Sequence, residues 1–262
     1  RDAQESRGLG DVYKRQVTSL VTRPDTKPSI DNPELLEFFK NRGKEASKVR
    51  IFPTASLTKR NNGKKMTEIG FLHDGGAVAF TDGFNSIPNT KTFYTILKYA
   101  SDFDTLIIGH PQDHFLTQNT SASSGVFASI KGLSSSPDFA EKIGMERDTT
   151  LISNLNIRYH ADQVTTKIGL DVLRDLKATN NRITAGTSVH HLLFNELDIG
   201  NYRTFFKLKP PLRSNADREA LTEAIREGLI DNICSMHTPQ DEESKRLPFE
   251  EAAPGAVGLE TI

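Results

Sequence analysis

Metal-assisted or acid–base chemistry would have to be assembled from few residues in this chain. Its seven histidines are His73, His110, His114, His160, His190, His191 and His237; no two are spaced His-x-His, there is no H-E-x-x-H run, and the single cysteine, Cys234, has no second thiol to cluster with. His110 and His114 stand four apart, but Pro111 between them argues against one helix face carrying both. His190-His191 reads as a pair packed between a strand end and the next helix, and His160 as a core histidine within a strand. Asp82 beside Gly83 is the kind of pair that any turn uses. Lys59-Arg60 and Lys64-Lys65 make a basic loop that reads as solvated surface. Near the end, an apolar strand (Ile230, Ile233, Cys234) runs into the polar loop Met236-His237-Thr238-Pro239-Gln240. Strand-to-loop junctions of this sort carry the chemistry in (β/α)8 barrels.

The elements that must position these residues follow one another regularly. Val17–Thr22 reads as a strand, and Asp31 or Asn32 can cap a helix that takes Pro33 in its first turn and buries Leu35, Leu36, Phe38 and Phe39. Strands are expected at 49–52, 77–80, 105–108, 157–160 and 183–186, with a last one around Ile233. Between them lie a helix striped by Met66, Ile69 and Leu72, one from about Thr90 to Ala100, and short helices near Val126–Ile130 and from about Asp138. Ile168, Val172 and Leu176 share one helical face, and Ser214 with Asp217 starts a further helix that carries Leu221 and Ile225 and closes at Gly228. Alternation of this kind implies a parallel sheet, because each parallel connection needs a crossover. No G-x-G-x-x-G follows a strand, which argues against a dinucleotide-binding sheet.

A length of 262 residues suits a single α/β domain, and 36% hydrophobic with 26% charged residues is ordinary for a globular protein. The 33 basic and 34 acidic residues leave a net charge of −1, which gives no sign of steering toward nucleic acid or a membrane surface. One cysteine excludes an internal disulfide and suits a reducing cytoplasm. Residues 1–16, RDAQESRGLGDVYKRQ, are polar and lack periodicity, and are expected to be a non-native or disordered leader before a barrel domain spanning 17–262.

Five stretches in order carry a resemblance: VTSLVTRPDTKPSIDNPELL, FPTASLTKRNNGKKMTEIGFLHDGGAVAFTDG, RITAGTSVHHLLFNELDIG, FKLKPPLRSNADREAL, and the C-terminal block with Pro248-Phe249 and Gly258-Leu259-Glu260-Thr261. Together they resemble the dihydroorotases, cyclic amidohydrolases of pyrimidine biosynthesis. The resemblance implies a TIM-type (β/α)8 barrel of class α/β with zinc at the C-terminal strand ends. It also implies that this chain is truncated at both ends and begins at the second strand, without the family's His-x-His. Hydrolysis of a cyclic amide needs an activated water and a polarised carbonyl, which metal ions supply.

Carried over residue by residue, the resemblance makes Asp82 and His110 metal positions, with the next ligand histidine replaced by Gln163. The catalytic aspartate position holds Met236, which neither ligates a hard cation well nor moves a proton. The substrate-binding positions are Asp25, Lys209 and Gln240; an acid at 25 is expected to repel the carboxylate of dihydroorotate, and Lys209 to attract it. Two readings follow. In the first the chain is a dihydroorotase-like protein without catalysis or stoichiometric zinc, a structural subunit of an oligomer with aspartate carbamoyltransferase; FTDGFNS and DFDTLIIGHPQD look closer to that branch. In the second it is a working zinc enzyme for dihydroorotate or a hydantoin-like ring. Gln163, Met236 and Gln240 favour the first.

Overall fold

The computed structural model describes residues 18–258, so the polar leader, Val17 and the run from Leu259 onward lie outside the described residues. The chain divides into two compact units that interleave in sequence: residues through His110 together with Glu146–Ala161, and Pro111–Met145 together with 162 onward.

In the unit that ends at His110, the strand Ser19–Thr22 pairs in parallel with Arg50–Pro53, and Leu106–Gly109 pairs in parallel with Arg158–Ala161. The helix Pro33–Ala46 starts where its sequence says it should, because the Asn32 side chain accepts from the Leu35 amide at 2.9 Å and Pro33 occupies the first turn, where its missing N–H costs nothing. Its core face is Leu36, Phe39 and Gly43; Phe38, expected inside, is 69% exposed because it points off that stripe. The next helix is Ile69–Asp74 and leaves out Met66, which lies before it in a bridge with Thr58. The expected strand at 77–80 is a single bridging residue: Phe80 pairs in parallel with Ala55 and with Ile107, its amide donating to Leu106 and its carbonyl accepting from Ile108. The helix Thr90–Ala100 matches its expected limits and buries Phe93, Ile96, Leu97 and Ala100.

One close approach sets the geometry just before His110. A Cβ on Gly109 would lie 2.0 Å from the Tyr159 hydroxyl, so only glycine fits at the end of that strand. The same hydroxyl donates to Asp148 at 2.6 Å, and Asp148 also accepts two bonds from Arg147, whose Nη1 donates to the Ile87 carbonyl.

The other unit pairs Ile183–Ser188 in parallel with Asn232–Cys234, and Ala122–Ser123 in parallel with Ser135–Ser136. An apolar cluster of Ala122, Ala128, Leu133, Ile199, Leu212 and Phe249 fills it, with Phe127, Phe194, Phe206 and Leu208 packed around. The helix Lys167–Thr179 buries Gly169, Leu170 and Leu173, so the face of Ile168, Val172 and Leu176 is a half-buried flank rather than the core stripe. The helix Asn215–Arg226 carries the expected capping box between Ser214 and Asp217. No helix among the described residues is long and apolar enough to cross a membrane.

At the centre of this unit sits Glu141, 0% exposed. Its Oε1 accepts from the Thr166 amide and hydroxyl, both at 2.9 Å, and from the Thr165 amide at 2.9 Å. Its Oε2 accepts from the Thr165 hydroxyl at 2.5 Å and the Gln112 amide at 2.8 Å, with the Arg213 guanidinium 3.8 Å away. Arg213 in turn donates to Thr165 Oγ1 and to Ser123 Oγ, each at 3.0 Å. Removing one partner from a buried, hydrogen-bonded ion pair typically costs about 3–5 kcal/mol. Glu141→Ala is therefore expected to lower stability by about that amount, read as a shift of the urea midpoint at constant slope.

Candidate active site

The strand ends that carry the candidate residues are held by their neighbours. In the first unit these are Asp25, Asp82 and His110; in the second, Gln163, Lys209, Met236 and Gln240.

Asp82 follows the Phe80 bridge and is buried. Its Oδ1 accepts from the Thr58 amide at 2.8 Å and its Oδ2 from the Thr58 hydroxyl in a very short bond, so both oxygens are engaged by one residue. Thr58 Oγ1 also accepts from the Gly63 amide at 2.9 Å, which ties Asp82 to the basic loop. Burial pushes the Asp82 carboxyl up to about 6, although the Thr58 bonds pull it down. A second acid, Asp31, steadies the same loop by accepting from the Arg60 amide at 2.8 Å. His110, buried at the end of its strand, meets the Phe84 ring edge-on with centroids 6.3 Å apart.

Asp25 is not the lone repelling charge expected from sequence. Arg23 grips it side-on, Nε to Oδ1 at 3.3 Å and Nη2 to Oδ2 at 2.9 Å, which neutralises it locally. Opposite charges two apart in Arg23-Pro24-Asp25 were the sequence signal for this pair. The partnership of Thr58 with Asp82 had none, because it joins positions 24 apart.

In the second unit, Gln163 is buried in a left-handed conformation (φ 57°), and its amide nitrogen has no hydrogen-bond partner among the described residues. The Val164 amide bonds to the Gly186 carbonyl, and Thr165 and Thr166 bond to Glu141, so the backbone at 163 is held from its C-terminal side. Met236 is left-handed as well (φ 43°). Unbranched L-residues rarely adopt such angles, and they concentrate at functional strand ends. Lys209 is exposed, and Gln240 donates to the Pro254 carbonyl at 3.0 Å, bracing a loop.

The residues at these positions fit zinc only in part: Asp82 and His110 are suitable donor types, and the others are not. Zinc sites in hydrolases need several converging imidazole, carboxylate or thiolate donors. Here Asp82 accepts one bond from Thr58 on each oxygen, while positions 163 and 236 offer a carboxamide and a thioether. Among the described residues no three His, Cys, Asp or Glu group as a metal-holding set.

Known proteins give this arrangement a lineage. The Dihydro-orotase-like family model matches residues 3–168. The chain belongs to that family. Curated dihydroorotases of Bacillus pumilus and Bacillus subtilis are 38% and 39% identical to it over 244 residues, which is 93% of this chain and 57% of theirs. This dihydro-orotase-like chain thus spans somewhat over half the length of the curated relatives it matches. Among solved structures, the L-hydantoinase (dihydropyrimidinase) of Arthrobacter aurescens aligns with a TM-score of 0.82 at 21% identity, covering 99% of this chain and 58% of that one. The dihydroorotase of Saccharomyces cerevisiae in complex with 5-fluoroorotic acid aligns with a TM-score of 0.74 at 15% identity, covering 99% and 72%. The fold class is accordingly that of the TIM-type amidohydrolase barrels, α/β with parallel strands, as the sequence motifs implied.

Of the His190-His191 pair, His191 has a structural role. His191 Nε2 faces the Pro211 carbonyl at 3.2 Å, so it carries the proton, and Nδ1 accepts from the Ser188 hydroxyl at 2.9 Å. Burial, aided by Arg213, pushes the His191 pKa down to about 3. An unfolded histidine titrates near 6.5, so the unfolded state gains a proton below that pH while the folded state does not until about 3. The contribution of His191 to stability is full above pH 6.5 and is lost as pH falls, by up to about 1.4 kcal/mol per pH unit. Urea titrations between pH 7 and 4 are expected to show a shallower decline in His191→Gln than in the parent chain.

Proposed function

We propose that this chain belongs to a cytoplasmic dihydroorotase-family protein of pyrimidine biosynthesis that does not hydrolyse dihydroorotate. In this reading it serves as a structural subunit, in an oligomer with the catalytic chain of aspartate carbamoyltransferase. The observation that carries the loss of catalysis is the engagement of both Asp82 oxygens by Thr58, together with a carboxamide at 163 and a thioether at 236. The partnership rests on the resemblance of FTDGFNS and DFDTLIIGHPQD to the non-catalytic branch. What this chain's residues supply is a frame: the Glu141–Arg213 network and the Arg147–Asp148–Tyr159 group hold strand ends in place.

The second reading is an active zinc-dependent dihydroorotase, converting dihydroorotate and water to N-carbamoyl-aspartate. Identities of 38% and 39% to curated dihydroorotases favour it. A His-x-His in the intact protein would favour it further.

Assay of the intact protein separates the two. Turnover of dihydroorotate is expected to be far below about 1 s⁻¹, the low end of ordinary enzymes, and a rate at or above that value overturns the first reading. Elemental analysis is expected to find less than one zinc per chain. Restoring Gln163→His and Met236→Asp together is not expected to create turnover while Asp25, Lys209 and Gln240 remain. Failure to co-purify with the carbamoyltransferase chain overturns the subunit role.

A further inference from the structure

We propose that Asn62-Gly63, at the tip of the basic loop, is a deamidation site that the fold keeps latent, with the Thr58 hydroxyl as its guard. This concerns the covalent chemistry of the loop and holds under either reading of hydrolysis.

The reaction needs nothing beyond water. The Gly63 amide nitrogen gives up its proton to hydroxide and attacks Asn62 Cγ, closing a five-membered imide as ammonia leaves. Water then opens the ring to aspartate or to isoaspartate. Glycine in the second position suits this chemistry, because no side chain screens its nitrogen. The surroundings suit it too. Asn62 is exposed, Lys64 and Lys65 after it are exposed cations, and positive charge favours a nitrogen that is losing its proton. The Lys64 amide donates to Asn62 Oδ1 at 3.0 Å, where it polarises the carbonyl under attack.

The folded loop withholds the remaining requirements. The Gly63 N–H, which must be lost, is buried and donates to Thr58 Oγ1 at 2.9 Å. Ring closure also needs this nitrogen turned toward Cβ about the Cα–C bond of Asn62. At the observed ψ of 3° it eclipses the residue's own nitrogen instead. The loop is held in that state. Gly63 packs so closely on Pro88 that a Cβ would meet Cδ at 2.7 Å, the Lys59 amide ties to the Lys65 carbonyl at 2.7 Å, and Thr58 bridges Met66. Attack therefore waits on local opening of the loop. Once isoaspartate forms, the main chain at 62 is longer by one carbon, which shifts Gly63 off Thr58, and a neutral amide has become a carboxylate.

The test is peptide mapping of the whole chain after incubation in mildly alkaline buffer, scoring aspartate and isoaspartate at position 62, beside a free peptide of residues 56–68. The parent chain is expected to react at Asn62 at least about ten-fold more slowly than the peptide. Thr58→Val is expected to raise the rate about three-fold or more, the weight of one lost hydrogen bond, and Thr58→Ser, which keeps the hydroxyl, to stay with the parent. Thermal melts confirm that each variant folds. Independently of any variant, hydrogen exchange in the parent chain is expected to show the Gly63 amide protected to a similar degree. A parent rate equal to that of the peptide, a folded Thr58→Val no faster than the parent, or a Gly63 amide that exchanges as fast as in the peptide overturns the proposal.

Discussion

A carboxylate removed from water has to be met by donors on every side, and Glu141 is the point at which one half of this molecule satisfies that demand. Its two oxygens collect bonds from Gln112, Thr165 and Thr166 and the field of Arg213. Those partners come from three separate stretches of chain. Misplacing any of them would leave a buried charge partly unmet, so the network specifies one arrangement of backbone where a purely apolar core would tolerate several. Gly169 belongs to the same constraint: a Cβ there would sit 2.3 Å from Glu141 Oε1, so the helix that follows Thr166 can start only with a residue that leaves the oxygen room.

That arrangement gives several of the family's motifs a structural role of their own. Thr165-Thr166 and Pro210-Pro211-Leu212-Arg213 look like active-site sequence, but in this chain they serve Glu141 and, through the Pro211 carbonyl, His191. The strand end at Gln163 keeps its left-handed turn because the residues after it are bonded in place. Met236 keeps one too. The side chains at 25, 82 and 240 each have a partner within the protein.

Much of the fold was legible in the sequence because local chemistry coincides with tertiary need. Asn32 followed by Pro33, and Ser214 followed by Asp217, start helices by capping alone. The departures have physical causes. Residues 77–80 look like a strand but contribute one bridging residue, since only Phe80 is in register with both neighbours. The face of Ile168, Val172 and Leu176 obeys helical spacing, yet the deeper stripe is Leu170 and Leu173, because apolar periodicity does not say which way a helix is turned. At the candidate site, residue types were legible by resemblance, whereas partners distant in sequence were not. Asp82 reaches Thr58 across 24 positions, and nothing in either local sequence announces it.

The basic loop after Thr58 depends on that contact. Arg60, Asn61 and Gly63 all take positive φ, and the Gly63 amide reports to Asp82 only through the Thr58 hydroxyl. That contact gives the carboxylate at position 82 a structural role that does not depend on hydrolysis. The identity of that residue is therefore silent about catalysis; in lineages of this kind, the informative comparison is whether the threonine and the aspartate change together.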